Sequence, residues 1–146
     1  MSPDQLVLIS WSVVCFWALG QIWFVQIVMY PLFASVGHAD YIEFHRSYAR
    51  RIPLVVIIPG FLSFLVPIPL ALFGPEVPMW MSVTNIVTGL VGLAVTVGLA
   101  IPRHTRLERG GKNERTIAEL VRYNWPRTLS ITAQAAVTFL MLRHGL

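Results

Sequence analysis

The feature that most constrains this chain is a series of four apolar runs of about the length needed to cross a lipid bilayer. A transmembrane helix needs about 20 mostly apolar residues. The runs cover residues 6–33, 52–73, 79–102 and 127–142. The last run is short and would gain length from its flanks. The pattern predicts an all-α integral-membrane four-helix bundle, a single domain over residues 1–146.

The composition agrees with a chain that lies mostly in a membrane. Charged residues make up 12% and hydrophobic residues 55% of the sequence, whereas about a quarter of a soluble domain is charged. This excludes a soluble nuclease, a Rossmann enzyme and a disulfide-stabilised secreted module. The chain has one cysteine, Cys15, so it cannot form an intramolecular disulfide.

The basic residues predict how the chain is oriented in the membrane. Ten of the 11 Lys and Arg residues lie in the segments 34–51 and 103–127. Such clusters are typical of loops at the anionic cytoplasmic surface, so the net charge of +4 indicates a lipid-bilayer partner rather than nucleic acid. We expect a multi-pass protein of the inner (plasma) membrane with both termini outside and two amphipathic cytoplasmic segments.

Polar residues inside the apolar runs need partners, because hydrocarbon offers none. At 100° per residue, Ser12, Cys15, Gln26 and Tyr30 share one face of the first helix. This face is predicted to point into the bundle. Gln26 and Tyr30 either hydrogen-bond to other helices or contribute to a ligand site.

The segment 40–52 carries the most suggestive histidine. On a helix, Tyr41, His45 and Tyr48 share one face, whereas charged residues occupy the opposite face. The segment either lies at the cytoplasmic surface or continues into the second span. His45 either packs against Tyr48 and bonds to a carbonyl, or acts as an acid/base group or haem ligand.

Several polar residues are predicted to meet near the cytoplasmic ends of their spans, where one pocket would contain them. No metal-site motif such as H-E-x-x-H is present, so we predict no metal site. Arg127 follows Trp125 and Pro126, and it either anchors the helix at the interface or pairs inside the bundle. The candidate catalytic residues are His45, Tyr48 and Arg127. The candidate cofactor-binding residues are Gln26, Tyr30, His104 and Asn124.

The chain resembles a family of small four-span membrane proteins, mostly bacterial, that are grouped with fungal anthrone oxygenases. The resembling positions are Gly20, Tyr30–Pro31, Phe44–His45, Arg51–Pro53, Pro102–Leu107 and Asn124–Thr128. The resemblance implies an integral-membrane four-helix bundle. It also implies oxygenation of a hydrophobic polycyclic substrate, without an obvious metal motif.

Two functions are compatible with these patterns. The first is an oxidoreductase or oxygenase that acts on a lipophilic substrate in a pocket at the cytoplasmic half of the bundle, with haem or with no cofactor. The alternative is a non-enzymatic membrane binding or accessory subunit, or a small oligomeric transporter. For a homo-oligomer, the candidate contact is the small-residue face of the third run, Thr84, Thr88, Gly92 and Thr96. Pro59 and Pro67 predict a bend in the second span.

Overall fold

The computed structural model describes residues 2–145, and this part of the chain is 90% helical and contains no strand. Its five helices are α1 (Pro3–Ser35), α2 (Tyr41–Leu65), α3 (Pro67–Phe73), α4 (Met79–Gly110) and α5 (Glu114–Gly145). The all-α class is therefore confirmed. Three of them, α1, α2 and α4, are long and apolar enough to cross a membrane.

The helices extend beyond the predicted spans. α2 begins at Tyr41 and α4 continues to Gly110. The basic segment 103–127 is therefore divided between the end of α4 and the first turns of α5. The two predicted amphipathic segments are thus parts of long helices rather than separate surface helices. The reason is that their apolar faces pack on the bundle and keep the helices continuous.

The four long helices form a closed arrangement. α5 packs against α1 and α4, and α2 packs against the same two helices from the other side. Glycines allow α2 to approach α4 closely: a Cβ atom at Gly89 would lie 2.7 Å from the Phe64 carbonyl oxygen, and one at Gly92 would meet the Phe64 ring. Gly92, a member of the small-residue face of α4, therefore packs within the chain, and the homo-oligomer contact of this face stays a prediction.

The two basic loops meet at one end of the bundle, which we call the basic-loop end. The Lys112 Nζ atom donates a hydrogen bond to the Ala34 carbonyl at 2.7 Å, and Gly111, with φ +76°, terminates α4. At the opposite end, the Gln5 side chain donates to the Gly145 carbonyl at 3.3 Å. The described terminal residues therefore lie together, away from the basic loops.

Three π-helical segments surround the basic-loop end, and each ends two residues before a proline. They are Val25–Met29 before Pro31, Pro53–Ile57 before Pro59, and Thr96–Ala100 before Pro102. The residue preceding each proline donates to the carbonyl five residues back. Proline removes a donor and its ring crowds the carbonyl four residues back, so a locally wider helix relieves the clash.

Carbonyl groups released by the prolines find side-chain partners. Pro59 cannot donate to Val55, and the Val55 carbonyl accepts instead from Trp17 Nε1 at 3.0 Å. Pro67 cannot donate to Ser63, whose carbonyl accepts from Gln134 Nε2 at 2.9 Å. Regular α-helix in the second span is interrupted at the π-helical segment 53–57 and at Val66, and the bend near Pro59 or Pro67 stays a prediction.

Candidate functional site

A cavity of about 210 Å³ lies at the basic-loop end, among α1, α2, α4 and α5. Its walls are mostly apolar. The sequence-predicted residues that line it are Tyr30, His45, Tyr48, His104 and Arg127. Five of the seven predicted site residues are therefore brought to one cavity, although they come from four helices.

Two histidines and a tyrosine form a hydrogen-bonded chain along this cavity. The Tyr30 Oη atom lies 3.1 Å from His104 Nε2, and His104 Nδ1 lies 3.2 Å from His45 Nε2. A bond between two imidazoles needs one N–H and one lone pair, so the protons can be ordered in either direction along the chain. At the His45 end of the chain, the Nδ1 atom is buried and has no hydrogen-bond partner in residues 2–145.

Aromatic packing fixes the histidine rings. Phe33 is fully buried and packs edge-on against Tyr48 and His45, at centroid distances of 5.0 and 5.7 Å. Tyr48 stacks on His104 at 5.9 Å with an interplanar angle of 19°. The rings are thus held in place before any ligand binds, which is a requirement for efficient proton transfer.

Arg127 is a buried cation at the same cavity. It is 7% exposed, and its Nη1 atom donates to Thr96 Oγ1 at 3.1 Å. Its Nε atom has no partner, and no carboxylate in residues 2–145 lies within ion-pair distance of it. Burying a cation without a counter-ion is costly, and an anionic oxygen in the cavity would offset this cost.

Gln26 and Asn124 lie apart from the cavity. The Asn124 side chain donates to Gln26 Oε1 at 2.8 Å, and Gln26 Nε2 donates to the Val121 carbonyl at 3.0 Å. Thr128 also donates to Gln26 Oε1 at 3.1 Å. In this structure the two amides join α1 to α5, which is the interhelical role considered from the sequence, and they do not line the pocket with the histidines.

Four residues that contribute to the site were not predicted. Gln21, Thr96 and Glu108 line the cavity, and Phe33 packs behind it. The available signal was a glutamine inside an apolar run, since Gln21 lies between Gly20 and Ile22. Phe33 and Thr96 gave no such signal, because an apolar or small residue in a span is ordinarily packing.

The geometry does not suit haem. The facing nitrogens of His45 and His104 bond to each other, and the cavity of about 210 Å³ is smaller than the roughly 300–1,000 Å³ of ordinary ligand pockets. Within residues 2–145, no group of three or more His, Cys, Asp or Glu side chains is placed to hold a metal ion.

Comparisons with protein-family models, with curated proteins and with solved structures give no match. The chemistry of the site must therefore be inferred from its own residues. These supply a base that can pass a proton along two imidazoles to a phenol, a cation for an anionic oxygen, and apolar walls for a hydrocarbon ring.

Proposed function

We propose that this protein is a small four-span membrane oxidoreductase or oxygenase that acts on a lipophilic substrate at the basic-loop end. The observation that carries the proposal is that the Tyr30–His104–His45 chain and Arg127, which has no carboxylate partner in residues 2–145, line one apolar cavity. The acid/base groups can take up and return a proton during a reaction. The buried cation without a counter-ion can stabilise the negative charge that develops.

The fourth span is α5. Its 32 residues reach about 48 Å at 1.5 Å per residue, enough to cross a bilayer. Its most polar side chains point inward, since Gln134 and Thr138 are fully buried, whereas Leu129 and Phe139 are more than half exposed. Gln134 and Thr138 therefore do not contact lipid.

We expect both termini to lie outside the cell, because the basic loops meet at one end and positive charge favours the cytoplasm. An alkaline phosphatase fusion after residue 146 should be active, and a green fluorescent protein fusion there should be dark. Insertion of the same reporters between Lys112 and Asn113 should give the opposite result. A fluorescent terminal fusion would show that the orientation is wrong.

The proposed substrate has a ring methylene that is joined to a carbonyl through unsaturated bonds, which makes its C–H protons weakly acidic. The proposed reaction begins with the removal of one of these protons. The proton moves to an imidazole of the histidine pair, and the C–H electron pair delocalises to the carbonyl oxygen, which Arg127 holds as an oxyanion. Dioxygen adds to the carbanion and, with the proton returned, gives a hydroperoxide. Loss of water then leaves a second carbonyl, so one dioxygen yields one ketone and one water.

Turnover of anthrone by the protein in lipid nanodiscs tests this function. We expect one dioxygen to be consumed per anthrone converted to anthraquinone, at a rate well above that of empty nanodiscs. The readouts are an oxygen electrode and the product absorbance. Anthrone binding without oxidation would contradict the oxygenase and favour the non-enzymatic binding subunit, and a Soret band in the purified protein would contradict the cofactor-free reaction.

A further inference from the structure

A second apolar recess lies on the side of the bundle, between α1 and α2. This groove has a volume of about 340 Å³. Its apolar lining includes Phe24, Met29 and Val55, and Arg51 contributes a basic group to it. Phe24 is 53% and Val55 47% exposed, so the groove is open along the outer surface of the bundle, which faces lipid in the proposed orientation.

The groove and the cavity share one wall. Gln21, Tyr48, Ile52 and Val56 line both. These four side chains contact both recesses, and Tyr48 is itself partly exposed. Side chains change rotamer far more readily than helices move. A ligand would therefore pass between the two recesses at Ile52 and Val56, because Tyr48 is held by its packing on Phe33 and His104.

The shared wall contains an unused hydrogen-bond acceptor. Gln21 Oε1 is buried and receives no hydrogen bond in residues 2–145. An amide oxygen left unpaired between two apolar recesses is destabilising. A ligand that passes this wall with a hydroxyl group at the junction would satisfy it, while its apolar parts occupy the recesses on either side.

We infer that the groove holds the hydrocarbon chain of the substrate while its ring occupies the cavity. The substrate class is thus a ring ketone of the kind that the proposed reaction needs, with a long alkyl chain and a hydroxyl group beside the chain. This inference rests on the proposed function in one respect, namely that the cavity is the substrate site. It explains how a lipophilic molecule reaches a buried site, since the groove is open to the bilayer from which such a molecule comes.

Photo-crosslinking with a defined probe tests the inference. The probe is 2-dodecylphenol, whose hydroxyl group is next to its chain, with a diazirine at the end of the chain. It is used in nanodiscs of phosphatidylcholine, and labelled residues are located by mass spectrometry. We expect labelling at Phe24, Met29 and Val55, and competition by 2-dodecylphenol but not by dodecane. The groove is blocked by Val55→Trp, because Val55 lines the groove and not the cavity. This variant should lower groove labelling at least ten-fold.

The matched control is Leu54→Trp, at a residue that is 76% exposed and lines neither recess. It should leave labelling unchanged. A chain-free phenol with the diazirine on its ring should label the cavity equally in the native protein and in the Val55→Trp variant.

Three results would overturn the inference. They are labelling spread evenly over lipid-facing residues such as Leu54, equal loss of both probes in the Val55→Trp variant, and equal labelling of the groove by a diazirine phosphatidylcholine, which would make it a phospholipid site. Chain-specific labelling of the groove without anthrone oxidation would support the inference and contradict only the oxygenase.

Discussion

Replacing Arg127 with methionine is expected to lower kcat/KM for anthrone by about 10²- to 10³-fold without lowering the stability of the protein. The loss in rate follows from removing the cation that holds the developing oxyanion, and a single such donor contributes about this much in other enzymes. Stability should be preserved because Arg127 is buried without a carboxylate partner, and a methionine of similar length avoids the cost of burying a charge.

The measurements are steady-state kinetics and thermal unfolding in the same nanodiscs. Arg122→Met is the matched control, because Arg122 lies on the same helix and is exposed. It should change neither quantity. A fall of more than about 5 °C in the Tm of the Arg127 variant, equivalent to roughly 1–2 kcal/mol for a domain of this size, would show that Arg127 has a structural role instead.

Replacing His104 with alanine is expected to lower kcat by about 10²- to 10⁴-fold, the range attributed to a positioned acid or base. His104 is the central member of the chain, since it bonds to Tyr30 through Nε2 and to His45 through Nδ1. Its removal breaks both links, whereas anthrone binding, which depends on the apolar walls, should change little.

The decisive variant is His104→Asn. Asparagine retains a donor and an acceptor but cannot take up a proton at the pH of the assay. If His104 moves protons, the asparagine variant should be as slow as the alanine variant; restored activity would indicate a structural hydrogen bond. His38→Asn, in an exposed loop, is the control. Replacing both His45 and His104 should cost little more than replacing His104 alone, because members of one chain act as a unit.

Much of the fold was predictable because its signals are local. Apolar runs of bilayer length predict helices, and the chain has them. Helical periodicity correctly placed Ser12, Cys15, Gln26 and Tyr30 on the inner face of α1, where all four are buried. The same periodicity pointed His45 inward, and it is 1% exposed. Each inference needed only the 3.6-residue repeat and the cost of a polar group in hydrocarbon.

The residues that belong to the site were predictable only in part, because their grouping depends on contacts between distant segments. From the sequence, Gln26 and Tyr30 are equivalent, since both are polar residues on the inner face of α1. In the structure Tyr30 bonds to His104 on α4, whereas Gln26 bonds to Asn124 on α5. The π-helical segment 25–29 includes Gln26 and ends just before Tyr30, and it changes the rotation per residue of the helix there. The two side chains, four residues apart, therefore face different neighbouring helices.

The sequence by itself determined that this chain forms apolar helices with inward polar faces and two basic loops, because hydropathy, periodicity and charge act within one segment. The tertiary structure decided that His45 and His104, 59 residues apart, share a hydrogen bond. It also decided that Arg127 lies beside them without a counter-ion and that Gln26 and Asn124 lie elsewhere. These pairings depend on how whole helices are rotated and how closely they approach one another. The glycines of α4 set the close approach, and the prolines after each π-helical segment change the rotation. Neither effect can be calculated from the sequence of one segment.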